Sequence, residues 1–232
     1  MIKININNKQ EFAKYFYKKI ENFINQTNTK YFLDDINRDL IHIFDKDLEE
    51  IVTAEPKELR KLISIAPNNF PDTILELKDL YYVFRNKFGV EFLERLEINV
   101  CPYCNREYIF KFEDTKKKES RILASLDHYY DKDTYPFLAI SLFNLIPSCH
   151  ICNSKFKHTK NFYDIQHIHP FEDNFNSMAK FHFKLVTNKK KKEKIFSNNS
   201  IYLELKPLKN FQKIENTITT FRLNIYIKIT KT

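Results

Sequence analysis

Cys101-Pro-Tyr-Cys104 and Cys149-His-Ile-Cys152-Asn153 hold all four cysteines of this chain, and what lies between them decides the reading of the fold. CxxC twice, with no cysteine left over, is the pattern of a four-thiolate zinc site. Two intervening residues let both sulfurs of one tight turn reach a single tetrahedral ion, and Pro102 stiffens the first turn. A redox role is the rival for a lone CxxC; two pairs argue against it. Residues 105–148 separate the pairs, too many for a minimal ribbon, so a substantial insertion is expected between the knuckles.

That insertion carries Leu126-Asp127-His128-Tyr129 and Phe143-Asn144-Leu145. Phosphodiester hydrolysis needs an activated water, neutralised charge on the phosphate and a stabilised leaving oxygen. A histidine of near-neutral pKa can take the water's proton. Asp127 and Asn153 are oxygen donors suited to Mg²⁺ or Mn²⁺. Neighbouring strand residues point to opposite faces, so Asp127 and His128 serve one site only if the backbone turns there. Each residue also has a plainer use: Asp-His as an ordinary dipeptide, Asn144 in a turn, Asn153 as a helix N-cap.

Further outward, the 232 residues suffice for one or two domains with a real core. No apolar run spans a membrane, and the N-terminus lacks a signal-peptide pattern, so a reducing cytoplasm is expected. A single glycine, Gly89, excludes Gly-rich phosphate loops. Lys and Arg number 38 against 30 Asp and Glu, a net charge of +8 that suits a polyanionic partner or a merely solvated surface. Apolar spacing predicts helices from 9 to 97, the last of them closing near Gly89. Strands are expected at Tyr108–Phe112 and Arg121–Asp127, with an exposed turn over Glu113–Arg121, and a helix starting near Asn153. Beyond 176, Phe181–Val186 and Ile201–Leu205 alternate like strands, so the extension is expected to add strands or else to be poorly ordered. Lys116–Lys118 and Lys189–Lys194 are candidate backbone contacts or solvated turns. The apolar run near the end is what a truncated reading frame would leave. The fold class is therefore α+β, in three parts: a helical region 1–97 suited to partner docking, a site module 98–175 and the extension 176–232.

CxxC, then Asp-His, then CxxC followed by Asn resembles the HNH nucleases, the ββα-metal fold, in their zinc-knuckle subclass. By motif position the resemblance implies His128 as general base, with Asp127 and Asn153 as ligands of a catalytic Mg²⁺ or Mn²⁺. It implies Asn144 as the residue that braces the ββ loop and orients the histidine, and Cys101, Cys104, Cys149 and Cys152 as the structural zinc set. Asn153 stands where many members have histidine. The likeness covers about a third of the chain. The context residues Tyr135-Pro-Phe, Leu145-Ile-Pro-Ser-Cys and His169-Pro-Phe resemble HNH subunits of bacterial antiphage systems of the Septu type, which accompany a separate ATPase. The implied function is a DNA endonuclease in antiviral defence, with RNA left open as substrate. The alternative is a zinc-knuckle subunit that binds nucleic acid or recruits a partner without catalysis. Lys155 and Lys157 read equally as phosphate contacts or solvated side chains. His150 reads as exposed, and His169 either as a phosphate contact or as a loop histidine packed on Phe171.

Overall fold

A computed structural model describes residues 3–26, 30, 32–114, 119–176, 178–186, 200–209 and 211–228. The lysine runs Lys116–Lys118 and Lys189–Lys194 lie outside the described residues. The chain is α+β, with helices first and small antiparallel sheets after them.

The helices are α1 (Lys9–Gln26), α2 (Leu33–Phe44), α3 (Leu48–Thr53), α4 (Pro56–Ile65), α5 (Asp72–Leu75) and α6 (Leu77–Arg95). Their ends follow local chemistry. Asp47 accepts the Glu50 N–H at 2.9 Å while Glu50 accepts the Asp47 N–H at 3.1 Å, a capping box opening α3. Pro56 occupies the first turn of α4, where its missing N–H is harmless. The apolar stripe of α1 packs on α6, with the Phe16 and Phe84 rings 5.1 Å apart and Phe12 stacked on Phe92 at 6.1 Å.

Unlike the sequence expectation, α6 runs through Gly89 to Arg95. A glycine inside a helix costs about 1 kcal/mol relative to alanine but does not end it. Here it serves packing, because a Cβ at 89 would sit 2.9 Å from Ile122 Cδ1.

After α6 come β1 (Lys111–Asp114), β2 (Glu119–Ile122), β3 (Ser125–His128) and β4 (Leu145–Ser148). β1 pairs with β2 and β3 with β4, both antiparallel, so what reads as one strand over Arg121–Asp127 is two strands of separate sheets. The break falls at Leu123-Ala124, where Leu123 is exposed and Ala124 buried. Strand backbone also reaches further into the supposed turn than expected. In the second pair, Asp127 stands opposite Ile146 and His128 opposite Leu145. A π-helix, Ile151–Lys157, follows β4 and completes a ββα order. Its His158 N–H to Asn153 C=O bond, 2.9 Å, is the i+5 closure of that helix type.

The C-terminal part takes the strand-containing alternative, with strands over both of the segments that alternate. β5 (Ala179–Val186), β6 (Ser200–Pro207) and β7 (Ile225–Lys228) form one antiparallel sheet, and α7 (Gln212–Thr220) precedes β7. The helical region packs directly on the site module. Tyr81 Oη of α6 donates to Leu126 C=O at 2.7 Å, Ser141 Oγ donates to Ile51 C=O at 3.1 Å, and Arg60 of α4 grips Glu172 through two bonds of 2.8 and 2.7 Å. No helix among the described residues is long and apolar enough to cross a membrane.

Candidate metal centre and candidate active site

The two knuckles meet in space. The Sγ atoms of Cys101, Cys104, Cys149 and Cys152 all lie within 4.8 Å of one another and all four residues are buried. Cys104 Sγ and Cys149 Sγ are 4.0 Å apart, twice a disulfide length of about 2.05 Å and close to the roughly 3.8 Å edge of a zinc–thiolate tetrahedron with 2.3 Å bonds. The first knuckle closes through Asn105 N–H to Cys101 C=O, 2.8 Å, with Asn105 in the left-handed region at φ 51°. The second closes through Asn153 N–H to Cys149 C=O, 3.1 Å, which starts the π-helix. Hydrogen bonds from the other thiols pull the Cys104 thiol down, while Cys101 and Cys152 are pushed up by bonds within the same cluster and by burial. Four crowded sulfurs cannot all be thiolates without a cation, and a divalent metal such as zinc is the group this donor set could hold.

His128 closes β3. Its Nε2 lies 2.9 Å from Ala139 C=O and its ring meets Tyr81 edge to face at 4.2 Å. A carbonyl can only accept, so Nε2 carries the proton and Nδ1 keeps a lone pair. Burial is the main cause that lowers the His128 pKa to about 3, so the ring is neutral at physiological pH.

The loop that presents Ala139 is held by Asn144, which is fully buried. Asn144 Oδ1 accepts the Tyr130 N–H at 2.7 Å, and Nδ2 donates to Tyr130 C=O at 3.0 Å and Leu138 C=O at 2.9 Å. Those partners leave one orientation for the amide. The Asn144 C=O also accepts the Tyr129 N–H at 2.8 Å.

Asp127 points elsewhere. Tyr103 Oη donates to Asp127 Oδ2 at 2.6 Å, and Lys157 Nζ lies 3.2 Å from Oδ1. Tyr103 sits inside the first knuckle, stacked on Phe221 at 4.4 Å. The side chains of Asp127 and His128 thus have different partners, as alternation along β3 requires, while Lys157 Nζ also donates to the His128 C=O at 2.7 Å. Asn153 is half-buried on the π-helix, four positions before Lys157. With both Asp127 oxygens taken by protein groups, Asp127 and Asn153 do not fit as the donor pair of a catalytic Mg²⁺ or Mn²⁺ in this arrangement.

Lys157 departs from both readings of it, since it is neither solvated nor surface-placed at 3% exposure; Lys155 is exposed. His150 is exposed, with Nδ1 3.2 Å from Ser154 Oγ. His169 is buried, 4.1 Å from the Tyr129 ring, and its Nδ1 accepts the Phe171 N–H at 3.3 Å. Tyr81, Tyr103 and the Ala139 carbonyl are site groups that sequence reasoning missed, and Lys157 is one it read as facing outward. Only the place of Tyr103 within CxxC offered a signal. Searches against protein-family models, curated proteins and solved structures found no match.

Proposed function

We propose that this chain is an endonuclease of the HNH type, a phosphodiester hydrolase with His128 as general base and zinc as structural ion of the four cysteines. The observation that carries the reading is the held imidazole. Ala139 C=O settles the tautomer, Asn144 pins the adjacent Leu138 carbonyl, and the neutral ring offers Nδ1 as its basic nitrogen. A base needs a fixed tautomer and a free lone pair, and works best with a pKa near the operating pH, a condition that the buried ring, held at about 3, does not meet in this state. The ββα order of β3, β4 and the π-helix, clasped by the knuckles, supports the same reading. In the proposed step Nδ1 takes a proton from the water as its oxygen bonds to phosphorus, the bond from phosphorus to the 3′ oxygen breaks, and the departing oxygen takes a proton from solvent water. Asp127 is satisfied by Tyr103 and Lys157, so the step is assigned to His128 without a metal route.

The net charge of +8 favours a nucleic-acid substrate, with DNA as the first choice and RNA as the second. The family resemblance places such a chain in the bacterial cytoplasm beside a defence ATPase, which the helical region would dock. A non-catalytic nucleic-acid or partner-recruiting subunit is the second reading, favoured by the fully paired Asp127 carboxylate.

Supercoiled plasmid and transcribed RNA incubated with wild type and His128→Ala, each with Mg²⁺, Mn²⁺ or EDTA, separate the two. Cleavage by wild type should fall by about 10²–10⁴ in the variant, while zinc content and far-UV circular dichroism stay unchanged. A wild type that cuts neither substrate supports the binding subunit instead; a variant that cuts as fast as wild type removes His128 as the base.

A further inference from the structure

Tyr82 of α6 is 53% exposed. One exposed ring means little by itself, but this one is bordered by cations. Lys132 Nζ lies 5.4 Å from the centre of the ring. Lys78, four residues before Tyr82, and Arg85, three after it, share its face of the helix. Asp133 sits between two of these cations, 3.6 Å from Lys78 and 3.4 Å from Lys132. Arg85 is half-buried and forms no ion pair among the described residues. Asp79, three residues before Tyr82, is the other carboxylate on this part of α6, so positive charge is in surplus. The ring also belongs to a row that ends at the candidate base. Tyr82 meets Tyr81 edge to face at 5.4 Å, and Tyr81 meets His128 in the same way at 4.2 Å. The Tyr81 hydroxyl fixes that row by donating to Leu126 C=O at 2.7 Å. Lys132 comes from the loop that follows His128, and its charge acts on the imidazole.

We propose that Tyr82 is a stacking platform for an unpaired base of a nucleic-acid strand, with Lys132 and Arg85 as contacts for its phosphates. The inference rests on the nuclease reading only for the substrate lying beside His128, and it names the substrate class as single-stranded. Every base has a π-face that a tyrosine ring can cover, and cations next to that ring neutralise the backbone. Within a duplex those faces are covered by the adjacent pairs. A ring on the outer side of a helix therefore finds a free face only where a strand is unpaired. The site suits loops, tails and single strands, of DNA or of RNA, rather than intact duplex.

Fluorescence anisotropy tests this with a labelled oligothymidylate, an oligouridylate and a duplex of the same length. Each is titrated with the zinc-loaded full chain without added Mg²⁺ or Mn²⁺, and the two single strands tell DNA from RNA. Wild type should bind a single strand more tightly than the duplex. Tyr82→Ala should weaken single-strand binding about five- to a hundredfold and duplex binding by less than about twofold. Tyr82→Phe keeps the π-face and should stay within about twofold of wild type. Lys132→Gln should lower the slope of log affinity against log salt by about 0.7 on the single strand. The proposal is overturned by a wild type that binds neither single strand, or by a Tyr82→Ala that binds them as wild type does. An equal loss on the duplex, an equal loss in Tyr82→Phe, or a salt slope unchanged in Lys132→Gln also overturns it.

If Tyr82→Ala loses its zinc or its helical signal, the wild type supplies the readout through nitration of Tyr82 by tetranitromethane, followed by mass spectrometry. The single strand should slow the nitration and the duplex at the same concentration should not; equal rates with both overturn the proposal. Because no measurement here uses cleavage, a chain that binds as described yet cuts nothing loses only the nuclease reading. A chain that cuts nucleic acid while Tyr82→Ala binds like wild type loses only this one.

Discussion

Asn144→Ala removes three hydrogen bonds from one fully buried position. Left behind are the Tyr130 N–H, the Tyr130 C=O and the Leu138 C=O, whose bonds to the amide measure 2.7, 3.0 and 2.9 Å. An unsatisfied buried polar group costs about 1–3 kcal/mol, and the loop can relax or admit water, so a total of about 3–6 kcal/mol is expected. Against a typical stability of about 5–15 kcal/mol, the variant should still fold but with much less margin. The local effect should exceed the global one. Leu138 precedes the residue whose carbonyl sets the His128 ring, so a released loop lets the imidazole turn and the base lose its geometry. Asn144→Asp sharpens the test: it retains an acceptor for Tyr130 N–H but sets carboxylate oxygen against two carbonyl oxygens. It should be at least as damaging as alanine, although the two side chains have nearly the same shape. Urea unfolding followed by circular dichroism at constant zinc measures the stability, and plasmid cleavage at a temperature where the variant stays folded measures the site. A loss below about 1 kcal/mol in both variants would show that the loop is held by something other than this amide.

Stability should fall steeply in mild acid. Burial is the leading cause that lowers His128, His167 and His169 to about 3, 4 and 3, whereas unfolded histidine titrates near 6.5. The unfolded chain therefore takes up protons that the native one refuses. This stability is fully present above about pH 6.5 and is lost as the pH falls toward 4 and 3. Near pH 5.5 three such groups give a slope of about 3–4 kcal/mol per pH unit; a flat urea-unfolding profile between about pH 7.5 and 5.5, with zinc retention checked, would refute it. Cys149→Ser removes one of four thiolates and should lose the metal and the fold together, read as zinc release to a colorimetric chelator alongside loss of helical signal. A Cys149→Ser protein that stays folded without zinc would show that the metal is not structural.

The sequence by itself determined the features that depend on near neighbours along the chain. CxxC spacing pairs two sulfurs within a single turn whatever surrounds it. The period of Phe12, Phe16 and Ile20 makes an apolar helix face, and Pro56 suits a first turn. A shared site for Asp127 and His128 required a backbone turn between them, and the strand ladder instead keeps both in register with β4. Other features were decided by what packs across from a residue. Gly89 reads as a stop, yet α6 passes through it, and its missing Cβ makes room for Ile122 of a distant hairpin. The division of Arg121–Asp127 between two sheets depends on partners at Lys111 and Leu145. Asn144 and Ala139 acquire their tasks only when the loop folds back on His128. Lys157 shows the difference most plainly. By composition a lysine belongs in water, and nothing nearby in sequence marks it otherwise. Only the closing of the knuckle helix over β3 brings the ammonium to a buried carboxylate, where that carboxylate, the His128 carbonyl and the Phe162 ring offset part of the lost hydration.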